Sequence, residues 1–201
     1  MIRPRKAQSG VGTLIMFIAM ITVAAITANV LVQTATSLQN QALLTGKRAQ
    51  QSISTIAQTI GVIGMNGSDG SVEDFRVELK LAPGSDGIDL SKAMLSMDTG
   101  GNGYTYTYSN KSCINDSSTG YSTDPTEKNG TFTVKYLIKG SNHIDGYLQR
   151  GDIIKLCFAS TESIKEDQDV EIRFIPSIGL TTTMSFSTTN VMNSYRVKLY
   201  P

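Results

Sequence analysis

The sequence predicts an α+β chain: one long hydrophobic N-terminal α-helix, followed by an immunoglobulin-like antiparallel β-sandwich. Three observations carry this prediction. Ala7 to Gly46 contains no charged residue. Within that run and beyond it, apolar residues recur at steps of three and four, the spacing of one helical face. From about Val72 the period falls to two, and turn-forming clusters separate the alternating segments.

The helix comes first. Val11 to Val32 reads VGTLIMFIAMITVAAITANVLV, long enough to span a bilayer, for which about 20 apolar residues suffice. The basic cluster Arg3, Arg5 and Lys6 precedes it and favours a cytoplasmic N-terminus. A secretory signal has a shorter apolar core with a small-residue cleavage site after it. Here the peptidase-like boundary, Lys6-Ala7-Gln8-Ser9-Gly10, comes before the core, so cutting there leaves the apolar helix on the mature chain. Leu31, Ala35, Leu38, Ala42, Thr45, Ala49, Ile53, Ile56, Ile60 and Ile63 carry the helical spacing onward, to the stop and turn residues Gly61, Gly64 and Asn66-Gly67. A helix from Gly10 to Ile60 would be roughly 75 Å long, more than one membrane thickness. Ala19, Ala24, Ala25, Ala28 and Ala35 let helix backbones approach closely, which suits a packed bundle better than a lone anchor.

Charge divides the chain at the same place. All 17 acidic residues lie from Asp69 onward, and the only bases before it are Arg3, Arg5, Lys6, Lys47 and Arg48. No basic patch with interleaved aromatics supports nucleic-acid binding. One His, two Cys and no Trp leave little material for a catalytic or metal centre, and no nucleophile motif accompanies the hydroxyls, so an enzyme is not expected.

The C-terminal part reads as strands around Phe75–Leu81, Tyr104–Tyr108, Phe132–Ile138, Ile153–Phe158, Val170–Phe174, Leu180–Phe186 and Tyr195–Leu199. Pro83-Gly84, Asp86-Gly87, Gly100-Gly101-Asn102-Gly103, Asp145-Gly146 and Pro176 with Gly179 supply the turns. Short strands at this spacing point to a sandwich, and about 130 residues are ample for an independent core.

Arg5 to Met20 (RKAQSGVGTLIMFIAM), Val23-Ala24-Ala25, Val30 to Ala35, Leu38-Gln39 and Thr45-Gly46-Lys47 resemble the archaellins, the archaeal flagellins of the type IV pilin-like superfamily. Leu79 to Ser85, Ile88-Asp89-Leu90, Arg150-Gly151-Asp152 and Tyr195 to Leu199 extend the likeness to the end of the chain. The resemblance implies that residues 1–7 are a cleaved class III (prepilin-type) signal peptide, 8–64 the helix of a filament core, and 65–201 the outer β-sandwich. A prepilin-type signal peptidase would cut between Ala7 and Gln8, with Arg5 and Lys6 before the bond and Gly10 as the third mature residue. Ala7 stands where family members more often carry Gly. Bacterial pilins carry Glu at the fifth mature residue; Gly12 stands there and favours the archaellar branch. Val11, Leu14, Ile15, Phe17, Ile18, Ile21, Ala25, Ile26, Leu31 and Leu38 would pack the filament core. The implied function is structural: a precursor in the cytoplasmic membrane, drawn by an export and motor platform into an extracellular swimming filament, with copies of itself and other archaellins as partners. An adhesive pilin-like subunit, or a bitopic surface protein with an immunoglobulin-like binding domain, is the alternative.

Four sequons, at Asn66, Asn110, Asn115 and Asn129, fall in predicted turns of the outward domain and are candidates for N-linked glycans. An extracytoplasmic location permits a disulfide between Cys113 and Cys157; two separate thiols, with Cys157 buried in a strand, is the equal alternative. Asp69/Glu73/Asp74, Asp86/Asp89 and Glu166/Asp167/Asp169/Glu171 raise a structural metal such as calcium, but none has the spacing of a Ca²⁺ loop, and no ligands are assigned. His143 reads as a surface histidine in a turn. Arg150-Gly151-Asp152 looks like an integrin tripeptide and reads as a turn before a strand.

Overall fold

The computed structural model describes residues 5–110, 113 and 130–200, with backbone alone for 5–9. The chain divides into two units, residues 1–49 and 50–201. One unbroken helix, α1 (Arg5–Ser54), runs through the first and ends in the second.

The helix stops earlier than the spacing of apolar residues predicts. Residues 55–64, expected to continue it, leave it at Thr55 and form most of β1 (Ala57–Met65). Ile56, Ile60 and Ile63 keep the helical step, yet Thr59, Ile60, Val62 and Ile63 are β-branched and Gly61 and Gly64 weaken a helix. Tertiary pairing decides between the two, because β1 lies between β2 (Ser71–Leu81) and β11 (Arg196–Tyr200). Gly64 is required for that packing: a Cβ there would lie 2.8 Å from Val72 Cγ1.

The remaining strands are β3 (Ile88–Asp89), β4 (Met94–Asp98), β5 (Gly103–Tyr108), β6 (Thr131–Ile138), β7 (Tyr147–Leu148), β8 (Ile153–Lys165), β9 (Asp169–Ile175) and β10 (Thr182–Ser187). Nine of the strands form one sheet in the order β10-β9-β4-β5-β6-β8-β2-β1-β11, and β3 pairs with β7. Pairing is antiparallel throughout the named strands except for the short parallel contact of β5 with β6, a departure from the purely antiparallel arrangement expected. β4 was not among the expected strands, although Leu95 and Met97 alternate inward on it.

The sheet rolls on itself until its two ends meet. Thr182 Oγ1 on β10 donates to the Ala57 carbonyl on β1 at 2.6 Å, and Ile56 bridges Leu180. One core fills the roll: Phe75 and Leu79 from β2, Leu95 and Met97 from β4, Ile154 and Leu156 from β8, Ile172 and Phe174 from β9. Phe158 stacks on Phe75 with ring centres 5.6 Å apart and meets the buried Tyr106 at 4.9 Å. Burial keeps the Tyr106 hydroxyl protonated, raising its pKa to about 12.

Phe75→Ala removes a fully buried ring at this junction of strands. It should lower the stability of the β-domain by about 3–5 kcal/mol, read from urea unfolding of the full chain in detergent.

Candidate functional site

Every side chain from Gly10 to Gln50 is exposed. The residues expected to pack a filament core show this plainly: Val11, Leu14, Ile15, Phe17, Ile18, Ile21, Ile26, Leu31 and Leu38 are 53–67 % exposed, and Ala25 is exposed as well. Leu43, Leu44 and Ile53 extend the apolar surface toward the helix end. The helix is long and apolar enough to cross a membrane.

The threonines within this surface are already satisfied. Thr13 donates its hydroxyl to the Gly10 carbonyl, Thr22 to Ala19, Thr27 to Val23, Thr36 to Val32 and Thr45 to Gln41, all at 2.8–2.9 Å. Thr34 reaches Val30 and Leu31. Such back-bonding gives each of these threonine hydroxyls a partner without water. The surface therefore suits either hydrocarbon or a bundle of other helices, where an unpaired polar group is costly.

Arg5, Lys6, Ala7 and Gln8, where processing is expected, lie on helical backbone, and Gly10 is exposed with no atom near the position of a Cβ.

Where the helix becomes a strand, residues 54–57 are gripped from two sides. On one side, Ala82–Ser85 forms a turn closed by Ser85 N–H donating to the Ala82 carbonyl, with Gly84 at φ +88°. Pro83 before a left-handed Gly84 gives the turn its chemistry. The buried Ser85 Oγ accepts from Ile56 N–H at 3.0 Å and lies within donating distance of the Ser54 and Ile56 carbonyls, at 3.2 and 3.3 Å. Ala82 N–H donates to Ile56 O at 2.9 Å. On the other side, Leu180 N–H donates to Thr55 O at 2.9 Å, beside the Thr182 bond to Ala57. Gly179 has φ +124°, and a Cβ there would fall 2.6 Å from Thr55 O. Thr55 and Ala57 are each 1 % exposed. The sequence showed Pro83-Gly84-Ser85 as a turn but carried no signal that Ser85, Gly179 and Thr182 converge on the helix end.

Of the sequons, Asn66 is exposed in left-handed conformation with its side chain making no capping bond, and Asn110 is exposed after β5. Asn115 and Asn129 lie outside the described residues. Cys113 and Cys157 are joined as a disulfide with Cα atoms 5.8 Å apart, which fastens Cys113 to the strand β8. Among the described residues no three His, Cys, Asp or Glu side chains converge to hold a metal. Several of the carboxylates considered for calcium already have protein partners: Glu73 accepts from Ser163, Asp89 pairs with Lys92, Glu166 accepts from Met192 N–H, and Glu171 pairs with Arg173.

His143 is not the surface histidine expected. Its side chain is 14 % exposed, edge-on to the Tyr136 ring, with Nε2 2.8 Å from Asp145 and Nδ1 3.3 Å from Asp152. Asp152, of the Arg150-Gly151-Asp152 turn, is fully buried and accepts from the N–H groups of Gly140 and Gln149, so it is spent on folding the loop and is not presented to a receptor. Burial opposes the Asp152 charge, but the donors from Gly140, Gln149 and His143 outweigh it and hold the carboxyl below its ordinary pKa. His143, then Lys139, do the same for Asp145.

A long helix whose described side chains from Gly10 to Gln50 are all exposed, in a chain that also has a rolled β-domain, defines a subunit whose apolar surface calls for lipid or other helices to cover it. The chain matches the archaeal-type flagellin family over residues 7–186. It is 28 % identical to flagellin B1 of Methanococcus voltae over 97 % of this chain and 95 % of the relative. The crystal structure of archaeal flagellin FlaB1 from Methanocaldococcus jannaschii superposes on 73 % of this chain and 97 % of its own, with a TM-score of 0.64 and 21 % identity. The archaeal flagellum of Methanospirillum hungatei covers 96 % of this chain and 99 % of its own, with a TM-score of 0.67 and 15 % identity. The chain belongs to the archaeal-type flagellin family, the structural subunits of the archaellum filament.

A carboxyl whose pKa falls on folding stabilises the fold above its unfolded value and loses that contribution as pH falls through its folded value. Asp152→Ala should therefore cost about 1–3 kcal/mol at pH 7, with two loop N–H groups left unpaired. The gap to the wild type should narrow only below the ordinary carboxylate range, about pH 4, in thermal melts across pH.

Proposed function

We propose that this chain is held in the cytoplasmic membrane by its helix, cut between Ala7 and Gln8 by a prepilin-type peptidase, and then drawn into an extracellular filament. The observation that carries this reading is the exposure of the whole circumference of the helix from Gly10 to Gln50. In lipid that surface is solvated by hydrocarbon. In the filament it packs against the same surface of other copies, or of related archaellins. Water drives neither state into the other directly, because lipid tails are as apolar as Leu. Extraction therefore needs work from an ATP-driven export platform. Once outside, return to water is prohibitive, since each large side chain would lose about 1.5–3 kcal/mol on exposure.

Removal of residues 1–7 takes away Arg3, Arg5 and Lys6, so that apart from the new α-amino group at Gln8 no charged side chain enters the packed core before Lys47. The Cys113–Cys157 bond suits an oxidising exterior. Asn66 and Asn110 are accessible to a glycosyl transferase, and Asn115 and Asn129 are further acceptors by sequence. The subunit carries out no reaction; it contributes length, packing and stiffness to a helical assembly that does not close.

Filaments sheared from cells and sequenced from the N-terminus should begin at Gln8, and Phe17→Asp should abolish filaments in electron micrographs by placing a charge in the bundle. Recovery of the uncut chain in membranes without filaments, as a bitopic surface protein would behave, overturns the reading. Mass mapping of native filaments should find glycan on peptides containing Asn66 and Asn110; unmodified peptides at all four sequons would remove the glycoprotein part alone.

A further inference from the structure

We infer that residues 54–57 are a rigid coupling, which passes torque between the helix end and the β-domain, and that Ser85 is the positioning residue that locks it. The inference rests on the filament reading above.

A helix end leaves four carbonyls without intrahelical partners, and a helix-to-strand link is ordinarily where a chain bends. Here the carbonyls of Thr55, Ile56 and Ala57, and the N–H of Ile56, are all engaged. Their partners come from two segments distant in sequence, the Ala82–Ser85 turn and residues 180–182. A swing about any bond in 54–57 must break several of these together. Thr55, Ala57 and Ser85 are buried, so water does not replace the lost bonds.

Ser85 is the central group because one hydroxyl faces three backbone atoms of the link, the Ser54 and Ile56 carbonyls and the Ile56 N–H. Arg150 steadies its turn by donating from Nη2 to the Ser85 carbonyl at 3.3 Å. Gly179 allows the second segment to approach: any side chain there would strike the Thr55 carbonyl. A subunit that only needed tethering would not require a grip from both sides. A propeller subunit does, because slack at each link would absorb rotation.

The test is hydrogen exchange on intact filaments, with filament persistence length measured by electron microscopy. In the wild type the amides of Ile56, Ala82 and Leu180 should be protected like those of the core strands. Ser85→Ala filaments should assemble in normal amount. Exchange at Ile56 should rise about tenfold, as expected for one lost hydrogen bond, while Val77 and Phe174 stay protected, and persistence length and swimming speed should fall. Thr182→Val, which keeps the shape and loses the hydroxyl, should loosen the link in the same way, and Thr182→Ser should restore it. This pair decides the matter if Ser85→Ala does not assemble. Wild-type amides at the link that exchange as fast as the exposed Gly100–Asn102 turn would overturn the coupling. So would unchanged stiffness in Ser85→Ala and Thr182→Val filaments, or exchange that rises equally across the whole domain. Absence of filaments from the wild-type chain would instead defeat the filament reading itself.

Discussion

A helix with an apolar stretch as long as Val11–Val32, exposed on every side, has no stable place in water, and this constraint governs the chain. The usual amphipathic helix hides one stripe against its own domain. Here no side chain from Gly10 to Gln50 is hidden by its own chain. Cover must come from lipid or from other helices, and on the proposed reading the subunit is held in the first and built into the second. The threonines that return their hydroxyls to their own helix, such as Thr27 to Val23 and Thr36 to Val32, make the same surface acceptable in both settings. Membership of the archaeal-type flagellin family makes the chain a filament subunit.

The β-domain answers a different demand. As part of an extracellular filament it has to stay folded outside the cell. Its core is continuous across β2, β4, β8 and β9, its sheet ends are tied together, and a disulfide fastens Cys113 to β8. Loops that look available for chemistry are largely committed to structure. Asp152 and His143 interlock one turn, and Glu166 and Asp89 hold others. The domain's polar groups shape loops, which agrees with a part whose work is mechanical.

Much of this was legible in the residues. The uncharged run, the change of period near Val72 and the Gly- and Pro-rich turns indicated a helix and a mostly antiparallel β-domain, because solvent exposure and backbone sterics act locally. Strands such as Phe132–Ile138 and Val170–Phe174 fall close to β6 and β9 for that reason. Residues 55–64 carry a helical signal in sequence because Ile53, Ile56, Ile60 and Ile63 keep a helical step. Only β2 and β11, supplied from elsewhere in the chain, make a strand the better state there. The burial of His143 is hidden from the sequence for a similar reason: its partner Asp152 is nine residues away, and nothing in the turn sequence shows that the loop closes over both.

By itself the sequence determined what must be removed from water, since the long apolar run and its lack of charge are properties of composition and period. It also determined that a β-rich domain follows. Tertiary structure alone decided where the helix ends, how the sheet closes, and that Ser85, Gly179 and Thr182 meet at residues 54–57. Those are contacts between segments far apart in the chain, and their energies come from pairing and burial that no local pattern encodes.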